Sequence, residues 1–125
     1  GNFIMGPEVY ELERKLQEYT DVKHAITCSS GTDALLMPLM AWGIKKGDAV
    51  FTTAFTFVAT AEVIQLLGAT PVFVDINSRS FNIDPGLLEK RVYTVAKKGK
   101  LLPKAVIPVD LFGLPADYDE IGMIA

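Results

Sequence analysis

Ala25-Ile26-Thr27-Cys28-Ser29-Ser30-Gly31-Thr32-Asp33-Ala34-Leu35 passes from an apolar run, through small hydroxyl residues and a glycine, into a helical pattern. Ala25 to Cys28 reads as a short buried strand, and Ala34-Leu35-Leu36-Met37 through Trp42 as the helix that follows. A strand that turns into a helix in this way leaves several backbone N–H groups facing outward without intrahelical partners. The helix dipole adds partial positive charge at the same point, so the turn suits a phosphate. Gly31 lets the backbone come close to such a ligand, and Ser30 or Thr32 can add a hydroxyl donor. Capping alone selects the same residue types, because Ser, Thr, Asp and Gly are favoured at any helix start. On these residues by themselves both readings stand.

Upstream of the turn, Gly6-Pro7-Glu8 opens a helix, with Pro7 where a missing N–H costs least. Val9, Leu12, Leu16 and Tyr19 recur at steps of three and four and form an apolar face that should pack on a neighbour. Glu13, Arg14, Lys15 and Glu18 occupy the other side, which reads as solvated surface. His24 is the only histidine, so a multi-histidine metal site is excluded and no metal is expected.

Downstream, Pro38 interrupts the helical pattern at a cost of about 3 kcal/mol, which predicts a kink or a late helix start. Gly43 ends that helix, with Trp42 expected to be buried near the terminus. Lys45-Lys46-Gly47-Asp48 is a polar turn, and Ala49-Val50-Phe51-Thr52-Thr53 a second strand. Phe55-Thr56-Phe57 lies between that strand and a helix from Val58 to Leu67, with Thr56 as its N-cap and Gly68 as its end. Aromatic rings at a strand's carboxyl end sit where open α/β sheets bind ligands, although either ring could equally be core. Pro71 to Ile76 is a third strand, and Asp84-Pro85 starts a short helix to about Val92. Lys97-Lys98-Gly99-Lys100 reads as a solvated connection, Lys104 to Val109 as a fourth strand, and Asp117 as the start of a last helix.

Strands and helices thus alternate, with near-continuous apolar strands. That pattern predicts an α/β fold of three layers, a mostly parallel sheet with helices on both faces. The 125 residues have the length of one domain, half of them are apolar, and mean hydropathy is +0.28, which excludes a disordered chain. A net charge of −3 gives no general attraction to nucleic acid or anionic membrane, and no stretch is long and apolar enough for a membrane span. The single cysteine, Cys28, excludes an internal disulfide and fits a reducing, cytoplasmic setting. Neither G-x-G-x-x-G after the first strand nor G-x-x-x-x-G-K-[ST] anywhere is present, so the common dinucleotide and nucleoside-triphosphate folds lose ground. Both ends of the chain read as cut within a larger protein.

Several segments taken together are more informative than any one. Phe3-Ile4-Met5-Gly6-Pro7-Glu8-Val9, Ser30-Gly31-Thr32-Asp33-Ala34-Leu35, Gly47-Asp48-Ala49-Val50, Phe55-Thr56-Phe57-Val58-Ala59-Thr60 and Leu67-Gly68-Ala69-Thr70-Pro71-Val72 resemble the DegT/DnrJ/EryC1/StrS family of pyridoxal-phosphate-dependent nucleotide-sugar aminotransferases. Phe81-Asn82-Ile83-Asp84-Pro85 and Pro108 through Asp117 extend the match almost to the end. The resemblance implies that residues 1–125 are the N-terminal part of the large domain of a fold type I enzyme. It implies that Gly31, Thr32 and Asp33 hold the phosphate of pyridoxal 5'-phosphate, that Phe57 stacks on the pyridine ring, and that Met5 and Gly6 line the nucleotide-sugar site. The implied reaction moves an amino group from an amino acid, glutamate being the expected donor, to a keto sugar of a nucleotide-sugar in polysaccharide biosynthesis. Homodimers are usual in the family.

Some positions depart from the family pattern. Ala54 stands where many members have proline, Pro38 where a helix former is usual, and Asp110 where histidine is frequent. The Schiff-base lysine and the acid that pairs with the pyridine nitrogen are expected beyond Ala125, since none of the lysines here matches that context. No catalytic residue is therefore assigned within the chain, and the chain alone is expected to be inactive. Two other readings remain: a deoxysugar dehydratase of the same family, and a non-catalytic phosphate-binding module built on the Gly31-Thr32 turn.

Overall fold

The structure, a computed structural model, describes residues 4–125. Gly1, Asn2 and Phe3, the last being the first residue of the Phe3–Val9 segment, lie outside the described residues. In order, the elements are α1 (Pro7–Thr20), α2 (Gly31–Ala41), β1 (Asp48–Thr53), α3 (Ala59–Leu66), β2 (Thr70–Val74), α4 (Pro85–Lys98), β3 (Leu102–Ile107), a 3₁₀ turn (Leu111–Gly113) and α5 (Tyr118–Ile124).

β1 is central, with β2 on one side and β3 on the other, and both pairings are parallel. All six of its residues are buried. Successive side chains of a strand point to opposite faces, so β1 feeds two cores. Ala49 and Phe51 pack with Val72, Val74, Leu88 and Ile121, the last two from α4 and α5. Val50 packs with Leu39 of α2 and with Val63 and Ile64 of α3. This is the three-layer arrangement expected from the sequence. Parallel strands need crossover connections, and the two here run in opposite directions across the sheet, from β1 to β2 and back past β1 to β3. Right-handed crossovers of opposite direction put α3 and α4 on opposite faces.

Prolines sit where the ladder tolerates them. Pro71 lies in β2, which among the described residues pairs on one side only. Pro103 precedes a register shift in β3: Ala49 faces Pro103 while Val50 faces Ala105, leaving Lys104 as an extra residue.

Several expectations are corrected. Ala25–Cys28 is not a strand and is not buried: Ile26 is 74% exposed, and no described strand pairs with the segment. Apolar residues alone do not make a strand, because a strand also requires a neighbouring ladder for its N–H and C=O groups. The α1 stripe exists but packs on nothing described, and Leu12, Leu16 and Tyr19 are exposed. Trp42 is 64% exposed, not buried. α2 starts at Gly31 and runs through Pro38 to Ala41, so of the two outcomes expected from the proline it does not show the late start. α3 begins after Val58, and Thr56 does not cap it; the Thr56 and Thr60 hydroxyls pair with each other at 3.0 Å. α4 continues six residues beyond Val92, so Lys97 and Lys98 form its last basic turn next to the left-handed Gly99. Its start is as expected, with Asp84 accepting from the Leu87 N–H at 2.9 Å. The third and fourth strands also end earlier than read, at Val74 and Ile107.

This packing separates positions that look alike in the sequence. Phe51→Ala should destabilise the 125-residue chain by about 3–5 kcal/mol through a cavity at the sheet centre. Leu16→Ala, on the uncovered face of α1, should stay within about 0.5 kcal/mol. Urea unfolding of both variants measures the contrast.

Candidate functional site

Phe55, Asp75 and Asp110 follow the carboxyl ends of β1, β2 and β3. α2 leads through a short turn into the amino end of β1, so it runs back along the sheet with its own N-terminus toward the strands' carboxyl end. α3 leaves that same end, directly after Phe55-Thr56-Phe57. The loop after β1 goes to the α3 face, and the loop after β3 goes to the α5 face. Diverging loops of this kind open a crevice at the carboxyl ends of adjacent strands, where open α/β sheets take their ligands. An open cleft of about 460 Å³, lined by residues including Phe55, Phe73 and Asp75, runs along the ends of β1 and β2.

At the start of α2, Ser30 is the N-cap and its Oγ accepts from the Asp33 N–H at 3.1 Å. The same hydroxyl donates to Asp33 Oδ2 at 2.9 Å, and the Ser29 hydroxyl donates to that oxygen as well. These two bonds, Ser29 first and Ser30 second, hold the Asp33 carboxyl below its ordinary range. The first intrahelical bond is from Ala34 N–H to Ser30 C=O. Among the described residues the N–H groups of Gly31 and Thr32 therefore remain at the open end of the helix. A Cβ placed on Gly31 would meet nothing within 4 Å. Gly31 and Thr32 are exposed, and Asp33 is half-buried. Two free N–H groups, a hydroxyl and open space fit a phosphate.

Phe57 is 75% exposed, with no aliphatic enclosure, and its position before α3 puts it at the same end of the sheet as Gly31. Phe55 is 45% exposed, and its ring lies 5.9 Å from that of Phe81 and 6.5 Å from that of Phe112. Neither ring is core. Gly6 is buried as the residue preceding α1, and Met5 is half-exposed in a left-handed conformation at φ 49°. No described hydrogen bond joins Met5 or Gly6 to the α2 turn. Among the described residues no group of acidic, histidine or cysteine side chains could hold a metal ion, and no helix is long and apolar enough to cross a membrane.

Two residues hold loops in roles the sequence did not show, and one of them, Glu13, expected on the solvated side of α1, is half-buried. Asn82 is 4% exposed, and its Nδ2 donates to the carbonyls of Leu114 and Pro115, both at 3.0 Å, fastening the loop before α4 to the loop after β3. Glu13 accepts both the N–H and the hydroxyl of Thr27 at 2.8 Å, which joins α1 to the segment leading into the turn. Asn82 lay within a recognised segment, but nothing in the sequence paired Glu13 with Thr27. Asp110, one of the departures from the family pattern, braces its own loop, accepting from Ala116 N–H at 2.9 Å and from the Tyr118 hydroxyl at 3.0 Å. Burial first, and then Asp110, pushes the Tyr118 phenol above its ordinary range.

Depression of the Asp33 carboxyl means that the folded turn favours its charged form. Its contribution is present above the ordinary aspartate range and is lost as pH falls through the lower folded value. An NMR titration should place the Asp33 midpoint below 3.8. Ser29→Ala should move that midpoint upward, because it removes the larger of the two causes.

A profile of the DegT/DnrJ/EryC1/StrS aminotransferase family matches residues 1–125. The chain is 49% identical, over its whole length and 33% of the relative, to the UDP-2-acetamido-2-deoxy-3-oxo-D-glucuronate aminotransferase of Pseudomonas aeruginosa. It superposes with a TM-score of 0.98 on a DegT DnrJ EryC1 StrS aminotransferase from Brucella abortus, at 56% identity, covering all of this chain and 34% of that one. The PLP form of a sugar-aminotransferase candidate from Streptococcus pneumoniae gives a TM-score of 0.85 at 38% identity, over 96% of this chain and 29% of that one. The chain thus spans about a third of the length of the relatives it matches. It belongs to the DegT/DnrJ/EryC1/StrS aminotransferase family.

Proposed function

We propose that residues 1–125 are the N-terminal part of the large domain of a nucleotide-sugar aminotransferase that acts in polysaccharide biosynthesis. The intact protein transfers an amino group from an amino acid, glutamate being the proposed donor, to a keto sugar carried on a nucleotide. The observation that carries this reading is the match along the whole chain to the UDP-linked sugar aminotransferase of Pseudomonas aeruginosa, joined by a match over 97% of it to the GDP-perosamine synthase of Caulobacter vibrioides. The start of α2 adds support through its free N–H groups and the space at Gly31. A cytoplasmic homodimer is part of the same proposal.

Aminotransferases of this family depend on pyridoxal phosphate. When bound, the group supplies an electron sink at the reacting carbon. The chain's own residues bind and orient it. The N–H groups of Gly31 and Thr32, with the Thr32 hydroxyl, hold the phosphate at the positive end of α2. Asp33 keeps the Ser29 and Ser30 hydroxyls in place through its carboxylate, which fixes the backbone of the turn. Phe57 offers a flat apolar surface that sets the plane of the ring and keeps water from one side of it. Met5 and Gly6 border the nucleotide-sugar. The reacting lysine and the acid at the pyridine nitrogen come from sequence after Ala125.

The deciding experiment incubates the full-length protein with pyridoxal phosphate, glutamate and UDP- and GDP-linked keto sugars, and follows amino-sugar formation by mass spectrometry. No product from any of them, with cofactor bound, would overturn the proposed reaction.

Two variants test the residue roles. Thr32→Val should weaken cofactor affinity by ~1.5–3 kcal/mol, the value of a hydrogen bond to a charged group. Phe57→Leu should weaken it with little change in melting temperature, because the ring is exposed. Equilibrium titration together with thermal unfolding reads both. Residues 1–125 alone should bind cofactor weakly and show no transamination, since the reacting lysine is absent; a borohydride-trapped adduct at one specific lysine of this chain would contradict that.

A further inference from the structure

The residues that lead into the α2 turn have little to hold them. From Lys23 to Thr27 the chain is neither helix nor strand. Among the described residues, the only hydrogen bonds made by this stretch are the two from Thr27 to Glu13 Oε1, both at 2.8 Å. Beyond Thr27 the turn is tied to itself: Cys28 Sγ to the Ser30 carbonyl, Ser29 and Ser30 to the Asp33 carboxylate, and Ser30 Oγ to the Asp33 N–H. Such a network fixes the shape of the turn. It does not fix where the entering strand of chain meets it.

We propose that Glu13 is a positioning residue for the cofactor's phosphate: it clamps Thr27, four residues before Gly31, and so sets the approach of the backbone whose N–H groups bind the anion. The clamp is charge-assisted at both donors, and it reaches the backbone as well as the side chain, so it restrains position and rotation together. Glu13 is ionised at neutral pH, because the Thr27 N–H and then the Thr27 hydroxyl hold its carboxyl below the ordinary range. Neighbouring charges on α1 are engaged elsewhere, Arg14 with Glu18 at 2.6 Å and Lys15 with Glu11 at 2.7 Å. Glu13 touches neither cofactor nor substrate and acts through Thr27. The inference rests on the reading of the α2 start as the phosphate site.

The test compares pyridoxal phosphate with pyridoxal, which lacks the phosphate, by equilibrium titration of the full-length protein and its Glu13→Ala, Glu13→Gln and Thr27→Val variants. A residue that only stabilises the fold would weaken both ligands alike. Glu13→Ala should lower the preference for the phosphorylated ligand about tenfold, as expected for loss of charge-assisted hydrogen bonds. Glu13→Gln keeps an oxygen acceptor and should restore most of that preference. Should Glu13→Ala fail to fold, Thr27→Val, which removes one of the two donors, should lower the preference about threefold. An unchanged preference in the folded variants would overturn the role of Glu13 while leaving the phosphate site standing. Absence of any preference in the wild-type protein would overturn the site and the inference with it.

Discussion

Pairing of β1 on both edges is the constraint from which the rest of this structure follows. A strand hydrogen-bonded on both sides has its backbone groups satisfied by its neighbours, and all six of its residues can then be buried. Because the neighbours are parallel, neither can be reached by a hairpin, and the chain must cross over through a helix each time. Because side chains alternate, both faces of β1 are apolar, and each face needs its own cover. Ala49 and Phe51 bind the α4–α5 layer, while Val50 binds the α2–α3 layer. Helices that return antiparallel to the strands present their N-termini at the carboxyl end. The location of the Gly31 turn is therefore a consequence of the ladder, not a separate feature.

What distinguishes the α2 start is how its orphan N–H groups are divided. Ser30 and Asp33 stand three apart, as in a capping box, and they engage each other in both directions. That exchange satisfies the Asp33 N–H and orients its carboxylate back toward the serines. It leaves Gly31 and Thr32 with free donors beside the open space at Gly31. Capping uses the Asp33 N–H and not those of Gly31 or Thr32, so the capping and phosphate readings of the sequence are compatible.

The sequence made β1 legible because a strand buried on both faces needs a nearly unbroken apolar run, and β2 and β3, only partly buried, were legible from their β-branched apolar runs between turn residues. The start of α2 was legible because glycine and hydroxyl residues are favoured at a helix start, where Ser30 indeed caps. The same signal failed at Ala25–Cys28, where the composition is right but no partner ladder is described. It failed at Lys97-Lys98, where charge was read as loop although basic residues also suit the last turn of a helix. Trp42 and the stripe of α1 show a further limit, since apolarity states a preference for burial but does not supply the covering surface. Glu13 was the least legible. On an amphipathic helix it is one charge among several, and only the return of the chain from α1 to Thr27 gives it a partner.

Caps at the strands' carboxyl end divide between the two faces. On the α4–α5 face both helices start with an aspartate that accepts a backbone N–H of its own first turn, Asp84 from Leu87 and Asp117 from Glu120. Those carboxylates neutralise the positive ends of their helices. On the other face α2 is capped by a neutral serine, and Val58 precedes α3 without a side-chain cap. Asp33 carries charge in the first turn of α2, and its Oδ2 accepts from the Ser29 and Ser30 hydroxyls. Glu62, in the first turn of α3, is exposed and so screened by solvent. The start of α2 thus differs from that of α4 in having a neutral serine cap in place of an aspartate, with its acidic residue set inside the first turn. In a chain of net charge −3, what the α2 start offers a ligand is backbone N–H groups and a hydroxyl at a serine-capped helix end, and not an excess of basic side chains.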